Sequence, residues 1–228
     1  MSNYEEFGSD YFSDRNMTDL QRLKQFDLEK DYCKKFIGES VFQSGMILDV
    51  GCSTGEFLES IKWNHDGRYG IEISQYAKEI AQARGVKFTK SLDDSDFFDL
   101  IVFRGTIQYL LSPFEDIKNS YKALKKNGYI LFLATPNTNS IYYQKFKTLP
   151  FLEESLNYYL PSDTSLSMNL RNAGFEIIDI HFPYLDTPYT NFLSDHLKFL
   201  RKYFFGGHHR FPFWKSMMWV IAKKPENP

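Results

Sequence analysis

The stretch MILDVGCSTGEFL at positions 46–58 decides how the chain is read. Met46, Ile47 and Leu48, with Val50 beyond Asp49, form a short apolar run that enters a turn with glycines at 51 and 55. An amphipathic run starts at Glu56. A buried strand feeding such a turn, which then opens a helix, is the ligand-binding entrance of an open α/β sheet. The missing Cβ atoms let the backbone turn sharply and let a ligand come close.

Outward from this stretch, short apolar runs alternate with helical ones. The pattern predicts strands over 46–50, 68–73, 86–89, 99–103, 129–136, 175–182 and 217–223. It predicts helices over 55–62, 75–84, 113 to about 126, and 166–173. A leading helix is expected from the capping-box pattern Thr18-Asp19-Leu20-Gln21, with Leu20, Leu23 and Phe26, and later Phe36-Ile37, at roughly helical spacing. Ser112-Pro113-Phe114-Glu115 reads as a second capping box with proline at the first helical position, and Asn127-Gly128 as that helix's stop. Strands alternating with crossover helices imply an open, mostly parallel sheet with helices on both faces.

Composition sets the limits. At 228 residues and 43% hydrophobic the chain can bury one substantial core, and a formal charge of −2 gives no global case for nucleic acid. Cys33 and Cys52 make neither a disulfide framework nor a zinc site, and no apolar run approaches the roughly 20 residues of a membrane span. Residues 1–12 lack the apolar core of a signal segment, so a cytoplasmic protein is expected. His208-His209 are adjacent rather than spaced along a helical face, and no metal is expected.

Ligands of such sheets sit beyond the carboxyl ends of the strands, which makes the loop after the first core strand the candidate site. Asp49 is placed to brace that loop. Glu72 ends the second strand 21 residues after Gly51, where a carboxylate can accept both hydroxyls of a ribose. A dinucleotide fingerprint would need glycines where Ser53 and Glu56 stand, and Glu56 sets a negative charge where a pyrophosphate would lie. A ligand with a sugar, a base and a cationic amino-acid portion fits better.

Four segments in order, ILDVGCSTGEFL, YGIEIS, FDLIVFRGTIQYLLSP and LKKNGYILFLATPN, resemble the motifs of class I S-adenosylmethionine-dependent methyltransferases. The likeness spans about 36–182 and is nearest to the small-molecule branch that includes quinone and sugar methyltransferases. The resemblance implies a Rossmann-like seven-stranded sheet with an antiparallel last strand containing Val220, and S-adenosyl-L-methionine as cofactor. It implies that the methionine end lies over Gly51, Cys52, Ser53 and Gly55, with Glu72 on the ribose and Ile73 against the adenine. Leu92 would lie near the adenine edge, and Arg104-Gly105 near the methionine portion. Arg22, on the leading helix, is a candidate for the cofactor carboxylate, or simply a solvated side chain. Tyr4, Phe7, Tyr11 and Phe12 correspond to a segment that relatives often fold over the cofactor.

Two departures stand out. Ser53 replaces a common glycine, and Gln108-Tyr109 stand where many members of the branch carry Glu-His. Tyr109 is therefore the catalytic candidate, facing the acceptor or taking its proton, although a phenol with a pKa near about 10 is a weak base at neutral pH. Its plainer reading is a packing aromatic beside Leu110. Cys52 reads as a packing residue, since no histidine neighbours it.

The stretch 183–215 holds ten aromatics and five Lys/Arg against two Asp, so it is locally +3. Leu193, Leu197, Leu200 and Phe204 recur at helical spacing, Phe192, Phe199 and Tyr203 widen the apolar face, and Gly206-Gly207 end the helix. It reads as a lid over the acceptor, added core, a homodimer contact or a peripheral contact with an anionic lipid surface. The expected organisation is a single domain over 1–228: an N-terminal helical segment at 1–40, the cofactor-binding core at 41–182, this insertion at 183–215, and a last strand and tail at 216–228.

The function expected is methyl transfer from S-adenosylmethionine to a small-molecule or lipid-linked acceptor, with oxygen as the favoured target. A sugar of surface-carbohydrate synthesis is one candidate, because the aromatic insertion with TPNTNS and NAGFEI resembles bacterial methyltransferases of that pathway class. A catalytically inactive cofactor-binding partner module is the alternative. A nucleotide-sugar or nicotinamide enzyme is disfavoured by Ser53 and Glu56.

Overall fold

The structure is a computed structural model that describes residues 20–89, 92, 95–150, 157–207 and 211–226. The strands are β1 (Ile47–Val50), β2 (Arg68–Ile71), β3 (Lys87–Phe88), β4 (Phe98–Arg104), β5 (Leu124–Pro136), β6 (Glu176–His181) and β7 (Met217–Lys223). The helices are α1 (Leu20–Phe36), α2 (Glu39–Ser44), α3 (Glu56–Ser60), α4 (Gln75–Ala83), α5 (Pro113–Ala123), α6 (Ile141–Phe146), α7 (Asp163–Asn172) and α8 (Phe192–Phe205). One seven-stranded sheet runs β3-β2-β1-β4-β5-β7-β6, with β7 antiparallel to both neighbours, so the expected Rossmann-like sheet with an antiparallel last strand is present.

β1 is buried along its whole length because β2 and β4 flank it in parallel and both its faces are covered. Side-chain alternation sorts the strands into two cores. Ile47, Leu100, Val102, Leu131 and Ile221 pack with Phe26 and Tyr32 of α1, Phe42 of α2 and Phe57 of α3. Leu48, Val50, Ile101, Phe103, Phe132 and Val220 pack with Ile117 of α5 and Leu166 and Leu170 of α7. The same parity puts Asp49 and Arg104 on the α1 side, at the carboxyl ends of β1 and β4.

Some local expectations are corrected. Helix α5 stops at Ala123, and β5 begins at Leu124, opposite Phe98. Asn127-Gly128 is a kink inside this long strand rather than a helix stop: Asn127 has φ 65°, and Lys224 exchanges backbone bonds with the pair. Ser112 makes no capping bond, whereas Ser162 and Ser165 form a reciprocal capping box at the start of α7. On α1, Leu20 and Leu23 face solvent, whereas Phe26 is buried as its spacing implies, together with Gln25, Glu29, Tyr32 and Cys33. Helices α2 and α6 add to those the sequence pattern predicts. The Thr18-Asp19 cap, the aromatics at 4, 7, 11 and 12, and His208-His209 lie outside the described residues. Among the described residues no helix is long and apolar enough to cross a membrane.

The insertion between β6 and β7 carries α8, N-capped by Asn191 accepting from Ser194 N (3.0 Å) and ended at Gly206. The face it turns to the protein carries Asp195 and Phe199 rather than the leucine stripe. Asp195 is buried, accepting from Asn191 N (2.9 Å) and Tyr184 Oη (3.3 Å), and Phe199 joins Tyr142, Phe146, Phe211 and Phe213 in a separate aromatic cluster. Leu193, Leu197, Leu200 and Phe204 point outward. A buried hydrogen-bonded carboxylate and one well-placed ring thus override the longer apolar stripe in setting the helix's rotation.

Candidate functional site

The turn between β1 and α3 is built from residues that need its geometry. Gly51 has φ 77°, and a Cβ there would come within 2.6 Å of Thr106 Cγ2; Gly55 has φ 73°, with Val86 Cγ2 at 2.9 Å. Gly51 N and Cys52 N both donate to Ile71 O (2.8 and 3.2 Å), which ties the turn to the end of β2. Ser53 is also left-handed, at φ 52°, the reason glycine is the natural residue there; the serine carries a local cost on the order of 1 kcal/mol. Arg84 Nη1 donates to Thr54 O (2.7 Å) and braces the turn from α4, a role no motif in the sequence signals.

Glu72 closes the site on the β2 side. Its Oε2 accepts from Ser53 N (2.9 Å), and its Oε1 from Ile73 N (2.7 Å) and Ser74 N (2.9 Å). A carboxylate offers about four acceptor positions, so three amides leave one open. The carboxylate expected to face a ribose therefore also holds the turn in place. Ile73 beside it is 58% exposed, an apolar side chain available to a flat ring, while Leu92 is buried in the core on the α5 side.

The opposite wall comes from α1. Arg22, Phe26 and Glu29 follow one another at helical spacing along one stripe of the helix. Arg22 Nη2 pairs with Glu56 Oε2 at 2.7 Å, so the candidate arginine for the cofactor carboxylate already holds the acid at the start of α3. Glu29 is fully buried. It accepts from Arg104 Nε (2.6 Å) and from Gln25 Nε2 (3.0 Å). The Arg104 guanidinium lies 4.6 Å from the centre of the Phe26 ring and 5.7 Å from that of Phe57. Burial works against its charge, but Glu29, with a smaller share from Asp49, holds the guanidinium above its ordinary pKa.

Arg22, Asp49, Gly51, Cys52, Ser53 and Arg104 share one cleft with Phe26, Thr54, Glu56 and Phe57, an open space of about 380 Å³ including its mouth. At its base Asp49 is buried, and its Oδ1 has no hydrogen-bond partner. Its carboxyl is pushed up to about 7, chiefly by burial, with Arg104 drawing it down and Glu72 and Glu29 adding to the rise. An orphaned buried acceptor is costly unless something donates to it. Cys52 is buried, and desolvation, then Asp49 and Glu72, raise its thiol far above the usual range, which leaves it inert as a nucleophile.

Past β4, Gly105 has φ 62°, and a Cβ there would meet nothing nearer than 3.7 Å, so its constraint is the backbone angle alone. Gln108 turns inward: its Nε2 donates to Gly105 O (3.0 Å), and its backbone carbonyl accepts from Tyr158 N and Tyr159 N (2.9 and 3.2 Å). Tyr109 ends the short 3-10 turn Ile107–Tyr109 and stays outside the cleft lining. The start of the insertion reaches the other rim: Gln21 Nε2 donates to Pro188 O (3.3 Å), and Tyr189 is close enough that its phenolate, where ionised, would favour the Arg104 charge.

A family model described as "Methyltransferase domain" matches residues 24–180. The chain is 26% identical to a malonyl-[acyl-carrier protein] O-methyltransferase of Paenibacillus sp., a match covering 56% of this chain and 52%, about half, of that protein. It is 24% identical to a carboxy-S-adenosyl-L-methionine synthase of Campylobacter hominis, over 65% of this chain and 76% of that one. A solved S-adenosylmethionine-dependent methyltransferase of Thermotoga maritima shares the fold at a TM-score of 0.56 and 19% identity, over 94% of this chain and 98% of its own.

Proposed function

The chain belongs to the family of S-adenosylmethionine-dependent methyltransferase domains, and from that premise we propose that it moves a methyl group to oxygen on a small-molecule or lipid-linked acceptor. The observation that carries the reading is the acidic base of the cleft, where the orphaned Asp49 carboxyl lies beneath the Gly51–Gly55 turn and beside Glu72. The donor set fits the cofactor. Arg22 and Arg104 are each matched by Glu56 and Glu29, which leaves Asp49 and Glu72 as excess negative charge for a ligand with a net positive charge.

When bound, the cofactor supplies an activated methyl on a sulfonium, so that the protein's main work is alignment and exclusion of water. In this reading the amides of the 51–55 turn and Asp49 hold the amino-acid end, with Arg104 at its carboxylate. Glu72 accepts a ribose hydroxyl through its remaining position, and Ile73 covers the base. Gly105 and Tyr109, after β4, border the acceptor, with the phenol orienting a hydroxyl or receiving its proton. Target oxygen is favoured by the name of the Paenibacillus relative, an O-methyltransferase. A sugar acceptor rests only on the resemblance of the insertion.

Calorimetric titration with S-adenosylmethionine, S-adenosylhomocysteine and NAD tests the cofactor, and turnover against alcohols, carboxylic acids and lipid-linked sugars tests the acceptor. Tight binding of the first two without NAD, and turnover on at least one hydroxyl or carboxyl acceptor, is expected. Cofactor binding with no turnover on any acceptor would favour the inactive partner module.

A further inference from the structure

Four large apolar side chains stand in a row on the outside of α8. Leu193, Leu197, Leu200 and Phe204 follow the i, i+4, i+7, i+11 spacing of a single helical stripe, and they are 73, 67, 51 and 70% exposed. Phe205, beyond them, is exposed as well. The opposite side of the helix is anchored through Asp195, through Phe199 stacked on Phe213 (ring centres 4.3 Å apart), and through Lys202 donating to Tyr142 Oη (3.0 Å). The stripe is thus held outward by a fixed inner face.

Charge says what covers it. Arg201 and Lys198 flank the stripe and are exposed, Lys198 with its Nζ 3.9 Å from Asp195 Oδ1, and Lys145 of α6 lies 5.8 Å from the Tyr203 ring on the other flank. Lys147 follows at the end of α6. The acid of α8, Asp195, is buried on the inner side, and α6 has no acid at all. Among the described residues, an apolar ridge bordered by Lys145, Lys147, Lys198 and Arg201 matches the boundary of a bilayer with anionic headgroups, where leucine and phenylalanine enter the acyl region and lysine and arginine meet phosphate. A second copy of this chain would bring the same cations against each other.

We propose that α8 docks the protein onto an anionic lipid surface, with Leu193, Leu197, Leu200 and Phe204 inserted and Lys198 and Arg201 on the headgroups. This docking does not depend on the methyl-transfer reading, and its test uses no turnover. The full chain is sedimented with vesicles of phosphatidylcholine alone and of phosphatidylcholine with phosphatidylglycerol. Three proteins are compared, wild type, Leu197→Ser/Leu200→Ser and Lys198→Gln/Arg201→Gln, with thermal melts and sedimentation velocity on each.

The expected result is binding to the anionic vesicles that weakens as salt is raised. The double glutamine variant should bind more weakly by roughly fivefold per cation removed. The double serine variant should lose most binding at low and at raised salt while melting like wild type. No binding by wild type to either vesicle overturns the proposal. So does equal binding by all three proteins, or a concentration-dependent dimer that the serine variant abolishes.

Discussion

Arg104 at the end of β4 and Glu29 in the middle of α1 meet at 2.6 Å, Nε to Oε2, and this contact joins the first helix to the floor of the cleft. Glu29 is fully buried, and the Phe26 ring covers the guanidinium. Removing one partner of such a pair leaves a charge without compensation. Glu29→Ala should cost about 3–5 kcal/mol in urea unfolding, whereas Glu29→Met with Arg104→Met should recover most of that loss. A single variant as stable as wild type would mean that α1 is not fastened through this pair.

Glu72 is loaded by three backbone amides, so its removal acts on the turn as well as on the ligand. Glu72→Gln keeps the shape but turns one acceptor into a donor facing N–H groups. Each lost charge-assisted bond is worth roughly 1.5–3 kcal/mol when well formed. We expect affinity for S-adenosylmethionine and S-adenosylhomocysteine to fall together by at least about tenfold, because the ribose is common to both. A loss confined to the methylated form, measured by calorimetry, would remove Glu72 from the ribose.

The sheet is readable in the sequence because its strands are short, apolar and spaced by helices, and because positions 46–58 carry their own turn glycines. The walls of the cleft are less so. Hydrophobic spacing on α1 singles out Leu20, Leu23 and Phe26, yet two of these face water, since the inner stripe of the helix is Arg22, Gln25, Phe26 and Glu29. A polar stripe that closes a site looks solvated to any rule based on apolar periodicity. The signal is present in the chain, where Arg22 and Glu29 lie on one stripe around an aromatic. It acquires meaning only with Glu56 and Arg104, which lie far along the chain from their partners. On α8 the apolar pattern alone leaves the facing open, and the strongest stripe faces out because Asp195 and Phe199 fix the other side.

Asp49 should make cofactor binding dependent on pH. Its carboxyl sits at about 7 in the folded protein, above the ordinary value of about 3.9. The folded state therefore holds a proton that the unfolded chain releases between about pH 4 and 7, so stability from this group is greatest at low pH and declines as pH rises through that window. A cationic ligand needs the ionised form, and affinity should climb up to about tenfold per pH unit below 7 and level off above it. Asp49→Asn should flatten the profile measured by calorimetry from about pH 5.5 to 8.5, since the ligand's own amino group titrates alike against both proteins. A slope unchanged in the variant would assign the titration elsewhere.

The insertion divides into a part that reaches the cleft and a part that does not. Phe199 stacks on Phe213 at 4.3 Å and 11° and meets Phe146 edge-on at 5.1 Å, whereas Tyr203, its companion by helical spacing, is exposed. Phe199→Ala should cost about 2–4 kcal/mol, less than a fully buried phenylalanine at the upper end of such losses. Tyr203→Ala should stay within about 0.5 kcal/mol. Neither should alter cofactor affinity, because the cluster around Phe199 shares no residue with the cleft. The segment placed to act as a lid is the one before α8, where Gln21 of α1 donates to Pro188 O and Tyr189 follows next in the chain, near Arg104. Tyr189→Ala should leave the melting temperature within about 2 °C and raise the KM for acceptor or the Kd for cofactor severalfold. Unchanged kinetics in Tyr189→Ala, with binding lost in Phe199→Ala, would move the closing element back to the helix.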